Sequence, residues 1–264
     1  MAFSGTTRFY NACFLQSLQV ITFLQLCFFT LSLDAQRLPK GDALTIEDGL
    51  SFRDVTVVGQ DKQGLMWFGT RQGLCRYDGN RFTRFGNDRR ADQFFPGESI
   101  FSAGMRFVND STLWIIADNH LYSLNQNNFR YQDLTREMGI RGDVLQLQPS
   151  HDGSIWVVWE DATNQYLCRS ENGNPFKEIA TTVRNRREFT SLAIDTSGNA
   201  WWSTISDGLR QISTKGEVLN ASKPDSFNWY GTTMYYTPVF VDSHNRVFIL
   251  PKSKYQIWWY HPQE

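Results

Sequence analysis

The sequence has few cysteines, few histidines and no excess of charge of either sign. Its 264 residues include four Cys and four His. Four Cys are too few for a disulfide-stapled scaffold, and four scattered His leave little for a metal site. The 26 basic and 27 acidic residues give a formal net charge of −1. This balance excludes a field that attracts nucleic acid or anionic lipid by charge alone, so no nucleic-acid partner is expected.

Apolar and aromatic residues, by contrast, are plentiful. Hydrophobic residues make up 41% of the chain and aromatic residues 15%, with nine Trp among them. This content is enough for a sizeable core and excludes wholesale disorder. Large aromatic side chains suit β surfaces better than helices. The composition is therefore typical of a folded, β-rich chain.

The first 35 residues differ from everything after them. Only Arg8 and Asp34 are charged, and residues 20–33 form a mainly apolar run. A run of this length matches the apolar region of a secretory signal, which needs about 7–15 residues, better than a membrane span, which needs about 20. We therefore predict a signal peptide over residues 1–35, with a retained membrane anchor as the alternative, and a linker over residues 36–41. Either interpretation places the remainder outside the cytoplasm.

A repeat of roughly 45 residues runs through the rest of the sequence. Its most visible element is an aromatic position, and its five occurrences are Trp67, Trp114, Trp156, Trp201 and Phe248. Three positions earlier stand the turn residues Gly64, Ser111, Gly153, Gly198 and Asn245. Three positions before those, the five copies carry Asp61, Val108, Ser150, Asp195 and Asp242. So many shared offsets indicate a repeated structural unit.

Within the first copy, the pattern predicts four short strands, over residues 55–58, 65–70, 74–78 and 81–85. Turn residues separate them, and the last turn contains Asp78-Gly79, a strong hairpin signal. Four short strands at this period are typical of one blade of a β-propeller, in which neighbouring blades bury each other's faces.

We therefore predict an all-β fold, a β-propeller of four-stranded blades over residues 42–264. The predicted repeats lie near residues 49–85, 99–131, 144–179, 189–219 and 236–260. Residues 43–47 are predicted as an extra strand, which either completes the last blade and closes a five-bladed ring or awaits a later blade.

The structural roles of several residues follow from the repeat. The recurrent Trp residues are predicted to lie in the core between blades. The turn aspartates are predicted to accept hydrogen bonds from backbone amides rather than bind calcium. Cys75 and Cys168 occupy equivalent positions in different blades, so we predict two buried thiols rather than a disulfide.

Two segments of the first repeat carry a family resemblance, Gln60–Thr70 with the sequence QDKQGLMWFGT and Gly73–Asp78 with the sequence GLCRYD. They closely resemble the two-component regulator propeller repeat, whose pattern is Asp-x-x-Gly-x-x-Trp-x-Gly-Thr followed by Gly-Leu and Arg-Tyr-Asp. The fourth copy fits nearly as well. The second and third copies lack the leading Asp, and the fifth has Phe248 in place of Trp.

In that family the repeats form periplasmic sensor propellers, which typically precede a membrane span and a histidine kinase, and many respond to glycan fragments. The resemblance implies a periplasmic, ligand-sensing module that recognises a small molecule or oligosaccharide. It also implies an incomplete seven-bladed propeller, with further propeller and kinase regions and a homodimeric receptor beyond this chain. These residues contain no phosphoacceptor-His region or ATP-binding lobe, so we expect neither enzyme activity nor a cofactor.

Ligand candidates follow from the order of the strands. If strands run from inside to outside in chain order, the turns after the second strands share one face with the connections between blades. The candidates on this face are Arg71, Gln72, Asp118, Asn119, Glu160, Asp207 and Lys252. The connection 86–99 adds mixed charges and aromatic residues, which suit a polar ligand such as a saccharide.

No catalytic or metal-binding residue is predicted, because no dense acidic or His cluster falls at equivalent inner positions. Two alternatives to a sensor stay open at this point. One is a propeller enzyme that acts on polysaccharide, as a lyase or a glycosidase. The other is a protein-binding scaffold.

Overall fold

The computed structural model describes residues 41–184, 190–204, 206–222, 239–249 and 257–260, and of residues 102, 103, 222, 258 and 260 the backbone alone. Every regular element in these ranges is a β-strand, which confirms the predicted all-β class. All strands belong to the unit Leu44–Glu264. Across these ranges no helix has the length and apolar character that a membrane span requires. The predicted signal peptide and linker residues 36–40 lie outside the described residues.

The strands form five sheets in chain order. Sheet 1 contains β1 (Val55–Gln60), β2 (Met66–Thr70), β3 (Gly73–Tyr77), β4 (Phe82–Gly86) and β5 (Gln93–Phe94). Sheet 2 contains β6 (Ile100–Phe107), β7 (Thr112–Ala117), β8 (His120–Asn125) and β9 (Tyr131–Asp133). Sheet 3 contains β10 (Asp143–Pro149), β11 (Ile155–Glu160), β12 (Asn164–Ser170) and β13 (Lys177–Val183).

The last two sheets continue the pattern. Sheet 4 contains β14 (Ser191–Ile194), β15 (Ala200–Thr204), β16 (Gly208–Ile212) and β17 (Val218–Ser222). The described strands of sheet 5 are β18 (Val239–Val241), β19 (Val247–Ile249) and β20 (Trp258–Tyr260). Consecutive strands pair antiparallel in each sheet, except that β5 joins β4 in parallel.

Neighbouring sheets meet through their first strands. β1 contacts β6, β6 contacts β10, β10 contacts β14, and β14 contacts β18. The strands therefore run from inside to outside in chain order, as expected for the blades of a propeller. The fold class predicted from the sequence is confirmed, while the number of blades in the native protein stays a prediction.

The recurrent tryptophans pack between their own sheet and the next one. Trp67 is fully buried in a cluster with Ile100, Leu113 and Ile115 of sheet 2, and its ring stacks on Phe85 with centroids 5.4 Å apart. The other three tryptophans repeat this arrangement across the following interfaces, as Trp114, Trp156 and Trp201. The prediction that these residues form the core is confirmed.

The strand alternation places the neighbour of one repeat tryptophan on the opposite face. Trp201 packs toward sheet 5, whereas the fully buried Trp202 packs toward sheet 3. The Trp202 indole N–H donates a hydrogen bond of 2.6 Å to Thr190 Oγ1, which satisfies its polar atom within the core. Sheet 4 is thus anchored by indole rings on both faces.

The repeated Asp ties the turn to the core. Asp61 Oδ1 accepts hydrogen bonds from the backbone N–H groups of Gln63 and Leu65, and Oδ2 accepts one of 2.8 Å from the Trp67 indole. Asp195 and Asp242 cap their turns through equivalent backbone amides. The predicted hydrogen bonds from backbone amides to these turn aspartates are confirmed.

The turn residue three positions after each Asp adopts a left-handed backbone. Gly64 has φ +84 and Gly198 has φ +82, a region that glycine enters without steric cost. Asn245 has φ 61 at the equivalent position of the fifth repeat. The turn sequence is thus dictated by the backbone that the hairpin requires.

The third repeat lacks this tie because Ser150 replaces the Asp. The buried Trp156 indole N–H has no hydrogen-bond partner among the described residues. A serine side chain is shorter than an aspartate, and an unpaired buried donor costs about 1–3 kcal/mol. The third turn therefore lacks the hydrogen bond that joins the first turn to its tryptophan.

One sequence-based expectation was wrong. Residues 43–47 do not form a strand; the chain turns at Thr45–Gly49, where Asp48 Oδ2 accepts a hydrogen bond of 2.7 Å from the Thr45 N–H. Local hydrogen bonding overrides the sequence pattern at this place.

The two cysteines of the propeller are free and buried, as predicted. Burial raises the pKa of the Cys75 thiol and raises that of Cys168 to about 11. Cys168 Sγ lies 3.3 Å from the Trp159 indole nitrogen, which donates to it. Both thiols are therefore core side chains rather than nucleophiles.

We expect Trp67→Ala to lower the free energy of unfolding by about 3–5 kcal/mol, because it opens a cavity between sheets 1 and 2. Urea denaturation followed by circular dichroism measures the change. Trp259→Ala is the matched control, since this ring is 60% exposed, and should cost less than about 1 kcal/mol. Equal losses in the two variants would contradict the assigned packing.

We expect Ser150→Asp to raise the free energy of unfolding by about 1 kcal/mol, because the longer carboxylate supplies the acceptor that Trp156 lacks. The reciprocal change Asp61→Ser should lower it by about 1–3 kcal/mol, since it removes the acceptor of Trp67. Urea midpoints of both variants provide the measurement. A Ser150→Asp variant that is no more stable than the parent chain would argue against the tie.

Candidate functional site

The turn after the second strand and the connection to the next sheet lie on one face, as predicted. The Gly73 N–H donates to the Glu98 carbonyl at 2.6 Å, and the Asp118 N–H donates to the Ser99 carbonyl at 3.0 Å. The Asp118 carboxylate in turn accepts hydrogen bonds from the N–H groups of Glu98 and Ser99. Residues 98–99 are therefore held between the β2–β3 and β7–β8 turns.

A cleft of about 270 Å³ opens on this face of sheet 1. One wall is the turn at Gln72 and Gly73, and a second is the end of β4 with the connection that follows it. The third wall is the N-terminal turn, which contributes Ile46, Leu50 and Ser51. Cleft residues thus come from three separate segments that the fold brings together.

The connection between β4 and β6 supplies most of the polar groups of the cleft. Arg90 pairs with Asp88 at 3.0 Å, and the Arg90 backbone N–H and then its guanidinium hold the pKa of the Asp88 carboxyl below its usual range. The Asn87 side-chain amide donates a hydrogen bond of 2.7 Å to Glu98 Oε1. These contacts order side chains in a segment that has little regular structure.

Arg84 reaches the cleft from strand β4. Its guanidinium makes a single ionic contact among the described residues, with Asp92 Oδ2 at 4.0 Å, and the side chain is about one third exposed. The Arg84 backbone also exchanges hydrogen bonds with Asp92, through the Asp92 carboxylate and backbone N–H. Arg84 therefore presents N–H donors beside a carboxylate that offsets its charge.

The predicted candidates divide between the cleft and other parts of the face. Gln72 lines the cleft, and Arg71 lies next to it on the same turn, with its guanidinium 6.0 Å from the Phe101 ring. The Asn119 carbonyl accepts a hydrogen bond from the Val144 N–H, so Asn119 tethers the next connection. These residues occupy the predicted face, and their role in binding stays a prediction.

The remaining candidates are engaged with other side chains. Glu160 is buried, and its carboxylate contacts Arg184 at 2.7 Å and Gln165 at 3.0 Å. Asp207 pairs with Arg210 at 2.9 Å. Lys252 lies outside the described residues. The contacts of Glu160 and Asp207 stabilise their own hairpins, and ligand binding by these residues stays a prediction.

Sequence reasoning missed the wall formed by the N-terminal turn. Leu50 is buried against Cys75 and Phe82 on the outer face of sheet 1, and Ser51 Oγ donates to the Leu74 carbonyl at 3.3 Å. The signal was present in the dipeptide Asp48-Gly49, a strong turn former, and Gly49 has φ +111. Reading residues 43–47 as a strand hid this turn and with it one side of the cleft.

The described ranges contain no set of side chains arranged to bind a metal ion. No group of three or more His, Cys, Asp or Glu residues is placed there to hold an ion. The cleft offers instead amide, hydroxyl, guanidinium and carboxylate groups around apolar side chains. Such a set is suited to hydrogen-bonded recognition of a polar ligand.

No family model matches the chain, and no curated protein matches it either. Several solved structures, however, are similar to it. The chain is similar to the extracellular domain of the hybrid two-component system BT4673 of B. thetaiotaomicron, with 17% identity and a TM-score of 0.59. The similarity covers 84% of this chain and 28% of that one, so this chain spans less than a third of that domain.

Two propellers of other kinds are also similar. Regucalcin of Agrobacterium tumefaciens, a calcium-binding protein, is 11% identical over 78% of this chain and 70% of its own, with a TM-score of 0.52. YCF48, solved with a D1 peptide, is 13% identical over 79% of this chain and 64% of its own, with a TM-score of 0.51. At such identities the likeness establishes the propeller fold alone.

We expect Gly73→Ala to destabilise the chain more than Gly79→Ala. Both glycines have φ +94, so a left-handed alanine costs each about 1–3 kcal/mol. A Cβ at position 73 would lie 2.6 Å from the Phe85 carbonyl, whereas position 79 has open space. Thermal unfolding of both variants measures the difference. Equal destabilisation would mean that the cleft wall is not packed as described.

Proposed function

We propose that this chain is the extracytoplasmic ligand-binding part of a two-component sensor, located in the periplasm, and that its ligand is a glycan fragment. The cleft on sheet 1 is the observation that carries the proposal. It lies where a turn and a connection meet on the face of the propeller that sequence reasoning selected. Its amide and carboxylate groups surround apolar side chains, a combination that suits the hydroxyl groups and C–H surfaces of a sugar.

The resemblance of the repeat to sensor propellers supports the same function. The similar extracellular domain of a hybrid two-component system shares the fold, although identity is low. We propose that ligand binding is communicated to a histidine kinase region outside this chain, in a receptor that acts as a homodimer. The chain itself is then a receptor module rather than an enzyme.

An exposed face on sheet 5 supports the proposal that more of the receptor packs against it. Phe240 pairs in register with Phe248, which pairs with Trp259, and the outer two side chains are 59% and 60% exposed. Phe248 occupies the repeat position that packs on the following sheet in the four preceding interfaces. A further propeller sheet has the shape and chemistry to cover this face.

Isothermal titration calorimetry of the full chain tests the function. The probes are gluco-, galacto- and manno-oligosaccharides of three to six units, together with their C6-oxidised uronate forms. We expect at least one probe to bind, and Gln72→Ala to weaken it about tenfold, since one lost hydrogen bond is worth about 1 kcal/mol or slightly more. Gln63→Ala is the matched control, because Gln63 is exposed before β2 rather than after it.

Two results would contradict the proposal. Cleavage of a probe by the chain, seen as new reducing ends, would favour the propeller enzyme. Absence of both binding and cleavage across the whole panel would leave the protein-binding scaffold as the better interpretation.

A further inference from the structure

We propose that the sheet 1 cleft selects an uncharged saccharide and discriminates against its uronate counterpart, an inference that rests on the proposed function. The argument concerns the balance of charge in the cleft. A site for a carboxylate or sulfate ligand leaves cationic groups uncompensated until the ligand arrives. The cleft on sheet 1 is built in a different way.

The first charged pair is already satisfied within the protein. Arg90 Nε and Nη2 lie 3.1 and 3.0 Å from Asp88 Oδ2, and Asp88 Oδ1 accepts the Arg90 backbone N–H. An anionic ligand would have to compete with the Asp88 carboxylate for the same guanidinium. Arg90 therefore offers little net attraction to a negative charge.

The second cation is also offset. Asp92 lies beside Arg84 at 4.0 Å, where its N–H donates to the Arg84 carbonyl and its carboxylate accepts the Arg84 backbone N–H. At that distance the guanidinium keeps N–H groups for neutral acceptors such as a ring or hydroxyl oxygen. Its charge, however, is balanced by a carboxylate that the ligand cannot displace.

A third carboxylate sets the sign of the remaining charge. Glu98 is held at both backbone groups, since its carbonyl accepts the Gly73 N–H and its N–H donates to Asp118 Oδ2. One carboxylate oxygen accepts a hydrogen bond from Asn87, which is neutral and does not cancel the charge. Glu98 makes no ion pair with any of the residues that the structure describes, and its carboxylate therefore brings a negative charge to the cleft.

This combination favours hydroxyl groups over carboxylates. A hydroxyl can donate to Glu98 and accept from Arg84 or Gln72, so a neutral sugar satisfies both kinds of partner. A uronate placed against Glu98 would set two like charges together, and both arginines that line the cleft, Arg84 and Arg90, already face a carboxylate. The cleft is thus selective for a ligand without a negative charge.

The test uses the oligosaccharide that binds in the calorimetric panel, in its neutral and its uronate form. These two probes differ only in having an alcohol or a carboxylate at C6. We expect the uronate form to bind at least tenfold more weakly than the neutral form. We also expect the affinity of the neutral form to stay the same between 50 and 300 mM salt, although the distance over which charges interact falls by about half across that range. Glu98→Gln should narrow the difference between the two forms at least threefold.

Glu137→Gln is the matched control. Glu137 also accepts a side-chain amide hydrogen bond, of 2.5 Å from Gln132, but it lies in the turn after β9 and does not line the cleft. It should leave the discrimination unchanged. A uronate that binds as tightly as the alcohol, or more tightly, would overturn the inference while leaving the receptor function intact. If no probe binds at all, the proposed function itself fails.

Discussion

Each tryptophan of the repeat buries its ring against the sheet that follows, so every sheet depends on its neighbour for the burial of its own apolar face. One such ring removes about 150–250 Å² from water. At about 25 cal/mol per Å², this is about 4–6 kcal/mol of gross transfer free energy per interface. In the first repeat, Asp61 of the preceding turn orients the Trp67 ring and links local turn formation to packing between sheets.

The position of the cleft is a consequence of the same arrangement. Since the first strands meet on the inside, the second hairpins and the connections are forced to one face. On sheet 1 the connection is long enough to fold back over the end of β4, and β5 fastens it there through Phe85 and Gln93. The binding groups are therefore carried by loops but positioned by paired backbone.

The fold was predictable because its determinants recur. Trp67, Gly64 and Asp61 each have a defined physical role. Their positions recur in five copies, with Trp kept in four of them and Gly and Asp each kept in three, so the repeat is visible in one sequence. The face that carries the cleft followed from strand order alone. Gln72 could be assigned to it because its turn belongs to the repeat.

The rest of the site could not be predicted in this way, because it is made by segments that do not repeat. The turn at Thr45–Gly49 occurs once and depends on the Asp48 side chain. The ion pairs of Arg84 and Arg90 depend on how a single connection folds. Even within the repeat, local detail varies. Ser150 stands at the Asp position of the third copy, and the Trp156 indole N–H there lacks the acceptor that Asp61 provides to Trp67.

The packing of each tryptophan on the following sheet has a further consequence for how the chain folds as it is made. Synthesis from the N-terminus lets the sheets form one after another. At each stage the sheet formed last leaves its aromatic face uncovered until the strands of the next sheet arrive. Exposed apolar surface is therefore confined to the newest sheet, and the sheets behind it are already covered.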